Sequence, residues 1–155
     1  MSRRWMCFVA CVFLFLAAPA SADEPKKVEA TKVKSFRELS KAKKGRVFLL
    51  HVAPSGVLVG SPGTLYAEPC DPKDPAIQKR TGLVGTVQVE DVPEPVSEQM
   101  NAKNNEELEA KSALTCYSVT AKLKSTQGGV TLSFVSAEPS GTRPYDERLN
   151  PARGD

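Results

Sequence analysis

The sequence predicts a strand-rich α+β domain stapled by one disulfide, and three observations carry that prediction. Tyr117, Val119, Ala121 and Leu123 alternate with Ser118, Thr120, Lys122 and Lys124. After "STQGG" the alternation resumes at Val130, Leu132 and Phe134, which reads as a hairpin with one buried and one wet face. A helix-forming stretch precedes this hairpin, and two cysteines survive removal of an N-terminal leader.

The leader is residues 1–22, "MSRRWMCFVACVFLFLAAPASA". Arg3 and Arg4 supply a positive start, an apolar run follows, Pro19 breaks it, and Ala20-Ser21-Ala22 supplies small residues for cleavage before Asp23. The apolar run is shorter than the roughly 20 residues of a membrane-spanning helix. These signals predict a cleaved signal peptide, a secreted or periplasmic chain, and no transmembrane helix after cleavage. Cys7 and Cys11 leave with the leader, so Cys70 and Cys116 remain as one pair in an oxidising compartment. The chain has no C-x-x-C spacing, and His51 is its single histidine. That composition favours a structural disulfide over a redox-active pair or a metal site, and no cofactor is expected.

Residues 23–45 form a basic arm. Between Lys26 and Arg46, the nine basic residues Lys26, Lys27, Lys32, Lys34, Arg37, Lys41, Lys43, Lys44 and Arg46 stand against only Glu29 and Glu38, whereas residues 47–155 are mildly acidic. Within the arm "SFRELSKAKK" predicts a short helix. Ser35 can cap it, Glu38 lies three residues on, and Phe36 and Leu39 share a face.

The domain proper is expected over 46–137. "RVFLLHVA" is apolar enough to be a strand buried on both faces, "PSG" turns it into "VLVG", and "SPG" turns again into "TLYAE". "GLVGTVQVED" adds an alternating strand. "PEPVSEQMNAKNNEELEAKSAL" then loses the two-residue period and gains helix formers, with Asn101 and Asn104-Asn105 as points of interruption. One helix between the third and fourth strands is the element order of a small OB-like five-stranded barrel, and an α+β roll shares that order. From Glu138 to Asp155 the sequence has little apolar content and reads as a disordered tail ending in Arg153-Gly154-Asp155, a three-residue match to an adhesion motif.

Chemistry is sparse. Ser55 lacks a nucleophile-elbow context, and phosphate-loop and dinucleotide glycine patterns are absent. Asp71 and Asp74 in "CDPKDP" offer few oxygens for calcium, which takes six to eight. The leading expectation is therefore an exported, non-enzymatic binding or envelope-associated domain. Its contact surface is one β-face or the basic arm, through Lys32, Lys34, Arg37, Lys41, Lys43 and Lys44. An anionic envelope component, an acidic glycan or a protein would be the partner. Two alternatives compete with it. One is a small hydrolase working through carboxylates such as Glu68, Asp71, Glu90 or Asp91. The other is a protease inhibitor presenting the 70–80 loop, with Lys79-Arg80 for a trypsin-like pocket.

Overall fold

The computed structural model describes residues 29–55, 61–74 and 85–147. The expected leader, the "VLVG" segment, Lys79-Arg80 and the terminal Arg153-Gly154-Asp155 lie outside these residues. The described residues form a six-stranded sheet, two helices and the Cys70–Cys116 disulfide.

Strand β1 (Thr31–Lys32) runs parallel to β2 (Val47–Pro54), with Thr31 opposite Phe48 and Lys32 opposite Leu49. Helix α1 (Phe36–Leu39) lies between them and buries Phe36 and Leu39. Ser35 caps this helix as expected, but it accepts from the Arg37 amide, and the Glu38 carboxylate reaches the Lys34 amide rather than closing a capping box. The Phe36 amide instead donates to the Asp74 carboxylate at 3.3 Å, and Ser35 Oγ donates to the same group at 3.3 Å. A loop far along the chain thus satisfies an orphan donor of the first turn.

Phe48, Leu50 and Val52 of β2 are buried, Val47 and Leu49 are half-buried, and His51 is exposed. This corrects the expectation of a strand buried on both faces. The compact apolar run hides a two-residue alternation that leaves His51 on the wet side.

Strand β2 pairs antiparallel with β3 (Leu65–Pro69) at its C-terminal end and with β5 (Leu114–Ser125) along most of its length. Strand β3 pairs antiparallel with β4 (Val87–Glu90), and β4 runs parallel to β6 (Thr131–Arg143). Strands β5 and β6 form the expected hairpin, so the pairings return to β2. Gly128 and Gly129 make its turn at φ of 74° and 134°, a region that disfavours a Cβ.

Helix α2 (Glu94–Glu109) lies between the fourth and fifth of six strands. The sequence placed it between the third and fourth. The two-residue β1, too short to register as a pattern, accounts for the shift. The helix is continuous through its asparagines, because Met100 and Asn104 turn inward and tertiary packing outweighs a few tenths of a kcal/mol of propensity.

A second correction concerns the C-terminal boundary. Residues 138–143 are not a tail. They continue β6, with Glu138 opposite Ser118 and Arg143 opposite Leu114. Backbone pairing with β5 holds this stretch, and pairing needs no apolar side chains.

The main core joins Phe36 and Leu39 to Phe48, Leu50, Leu65, Val89, Met100, Val119 and Leu132, among others. Burying each such side chain contributes about 1.5–3 kcal/mol. The disulfide lies elsewhere. Cys70 and Cys116, with Cα atoms 5.9 Å apart, pack with Ala53 in a separate small cluster.

Candidate functional site

Three surfaces gather the polar residues of the fold. The first is the outer face of β3, β4 and β6. Leu65, Ala67, Val87 and Val89 point inward, so Tyr66 and Gln88 point outward. Register sets Tyr66 beside Gln88 and Gln88 beside Thr131, giving one cross-strand row of an aromatic ring, an amide and a hydroxyl. The glycine turn overhangs this row. Together Tyr66, Thr86, Gln88, Gly128, Gly129 and Thr131 line an open cavity of about 240 Å³.

Charged groups border the row, with one lysine shared by two carboxylates. Lys124 Nζ donates to Glu90 at 2.6 Å and to Asp91 at 3.3 Å. Ser133 Oγ donates to Asp91 at 2.7 Å, and Gln88 Nε2 donates to Glu90 at 3.2 Å. The Ser133 hydroxyl, and then Lys124, hold the Asp91 carboxyl below its ordinary value, while Glu90 and then Asp91 raise Lys124.

On the other side of Tyr66, Glu68 is buried. It accepts from Ser55 Oγ at 3.0 Å and from Arg143 Nη2 at 3.1 Å, while Arg143 Nη1 donates to the Pro69 carbonyl at 3.0 Å.

These contacts bear on the four carboxylates considered for hydrolysis. Glu68 is tied to Arg143, Glu90 and Asp91 share Lys124, and Asp71 Oδ1 accepts from the Lys73 amide at 2.8 Å. Asp74, considered with Asp71 for calcium, holds the start of α1.

The basic residues form the second surface. Lys32, Lys34, Arg37, Lys41, Lys43 and Lys44 are all exposed, and none forms an ion pair with a described carboxylate. Arg46 donates to Thr31 Oγ1 at 3.2 Å and lies 5.6 Å from the Phe48 ring centre, so it packs along the sheet edge. The third surface surrounds His51, the single histidine of the chain. Its ring is exposed and makes no hydrogen bond to a described residue.

Sequence reasoning missed Tyr66, Gln88 and Thr131 as a set. The outward position of each is readable from alternation, but their adjacency depends on the β4–β6 pairing, which joins distant segments.

No family model, curated protein or solved structure matches the chain. Among the described residues no helix is long and apolar enough to cross a membrane.

Proposed function

We propose that the protein is an exported, non-enzymatic binding module with an OB-like barrel, using the β3–β4–β6 face to hold a neutral, ring-bearing chain such as an oligosaccharide. The observation that supports this reading is the Tyr66–Gln88–Thr131 row beneath the glycine turn. The pairing circuit β2–β3–β4–β6–β5–β2, which returns to its first strand, supports the barrel reading. OB-folds bind oligonucleotides and oligosaccharides on the corresponding two strands and their adjacent loops.

Electrostatics favours the sugar. Single-stranded nucleic acid binding combines stacking with a positive groove, and among the described residues bordering this face Lys124 is engaged by Glu90 and Asp91. A tyrosine ring flanked by an amide and hydroxyls suits a pyranose, which has an apolar face and a polar rim.

A glycan array probed with the oxidised mature chain, followed by calorimetry on a retained neutral oligosaccharide, tests the reading. Tyr66→Ala should weaken binding by about tenfold or more with unchanged circular dichroism, the loss of about 1.4 kcal/mol expected for one aromatic contact. Retention of no neutral glycan, or binding insensitive to Tyr66→Ala, would overturn it.

The exposed basic residues, which pair with no carboxylate among the described residues, favour a second reading, contact with an anionic envelope surface. Retention on anionic vesicles or acidic glycans should then fall as salt rises, because screening acts within about 8 Å at physiological ionic strength. Changing Lys41, Lys43 and Lys44 to Gln should weaken it while Tyr66→Ala leaves it intact. No salt-dependent retention would leave the arm as a solubilising tether.

A further inference from the structure

Because Phe48, Leu50 and Val52 point into the core, His51 and Ala53 point to the opposite side of β2. Ala53 is covered there by Cys70 and Cys116, so the exposed imidazole stands at the edge of a buried sulfur pair. A ring nitrogen of His51 and both sulfurs lie within 4.8 Å of one another. The backbone holds the three residues in place. The Cys70 amide donates to the His51 carbonyl at 3.0 Å, and His51 is opposite Ser118, two residues along β5 from Cys116. A cleft of about 320 Å³, lined by His51, Pro69, Asp71 and the Lys34–Phe36 turn among others, opens the imidazole side to solvent.

We propose that reduction of the Cys70–Cys116 disulfide converts this cluster into a Cys2His site for a thiophilic divalent cation of the zinc type, with water from the cleft as the fourth ligand. In the oxidised chain both sulfurs are committed to the S–S bond, and His51 is a single donor. A dithiol reductant supplies two electrons and two protons. Its own thiols join in a disulfide, the Cys70–Cys116 bond breaks, and each cysteine is released as a thiol. The cation then displaces both thiol protons to solvent and is held by two thiolates and a neutral imidazole. Tetrahedral zinc, with bonds of about 2.3 Å to sulfur and about 2.0 Å to nitrogen, sets its donors roughly 3.5–3.8 Å apart. The two cysteine Cα atoms are 5.9 Å apart, a separation over which side-chain torsions set the distance between the released sulfurs. Three protein ligands and one open position distinguish such a site from a closed structural one.

Cobalt(II) is the probe, because its thiolate charge-transfer and tetrahedral d–d bands report ligand type and geometry. The full mature chain is reduced with a phosphine under argon and titrated with Co2+, with strand content followed by circular dichroism. The expected result is one Co2+ per folded chain, bound with a thiolate band and displaced by Zn2+, and no band for the oxidised chain. His51→Ala replaces an exposed side chain and should keep the fold. It should weaken Co2+ binding by more than the 10–100-fold typical of losing an outer-sphere partner, and it should change the d–d spectrum. A folded, reduced chain without a thiolate band would overturn the proposal, as would His51→Ala with unchanged affinity and spectrum. A reduced chain that loses its strands and does not regain them with Co2+ would also overturn it.

Discussion

Arg143 shows how much one residue can decide. Its guanidinium is 1% exposed and Glu68 is 7% exposed, and the pair is completed by the Pro69 carbonyl and Ser55. Buried pairs add little over apolar replacements, but removing one partner strands a charge. Arg143→Ala should therefore cost about 3–5 kcal/mol in urea denaturation, while the double replacement Arg143→Met/Glu68→Leu should be much milder. A surface example behaves differently. Asp91 is held below its ordinary carboxyl value of 3.8, first by Ser133 and then by Lys124. With the folded value below the unfolded one, its contribution is present above the unfolded pKa and fades as pH falls through the folded value. An NMR titration should give Asp91 a midpoint below 3.8, and Ser133→Ala should raise it.

At the scale of elements, β6 departs most from its composition. Its first half alternates, with Leu132 buried and Phe134 half-buried. Its second half is exposed from Glu138 to Thr142 and is still paired with β5. A polar segment becomes a strand there because its partner edge is available and Arg143 anchors the far end. Truncation after Ala137 tests this directly. A dispensable tail would leave stability unchanged, whereas a strand ending in a buried ion pair predicts loss of the cooperative thermal transition or a large fall in its midpoint. Helix α2 makes a related point. Its asparagines are tolerated because Glu107, near its C-terminal end, accepts from both the Thr115 amide and the Thr115 hydroxyl, tying the helix to the start of β5.

For the molecule as a whole, the disulfide is a tie on the outer side of the sheet rather than a core contact. It closes a loop spanning a sequence separation of 46 and joins the end of β3 to β5. Replacing both cysteines with alanine should lower unfolding free energy by about 2–4 kcal/mol with strand content retained in the cold. The main core, built from Phe48, Leu50, Val119 and Leu132 among others, does not include either sulfur. Rapid labelling of the native chain by a thiol reagent would contradict the staple. The basic residues surround β1 and α1, whereas the Tyr66 row lies on β3, β4 and β6, so the two candidate contact surfaces can be altered separately.

The sequence by itself determined the strand-rich α+β class, the β5–β6 hairpin, a helix-forming stretch within 93–114 and the Cys70–Cys116 pairing. Alternation, helix propensity and cysteine arithmetic are local or countable properties. Tertiary structure alone decided which distant strands met. The parallel β4–β6 pairing brought Thr131 to Gln88, Asp74 reached back to hold α1, and Arg143 found Glu68. It also set His51 on the wet face beside two sulfurs, a neighbourhood that no spacing along the chain encodes. The physical reason is common to all four. Long-range pairings follow from which edges and buried charges remain unsatisfied once the core has closed, and that inventory exists only in the folded chain.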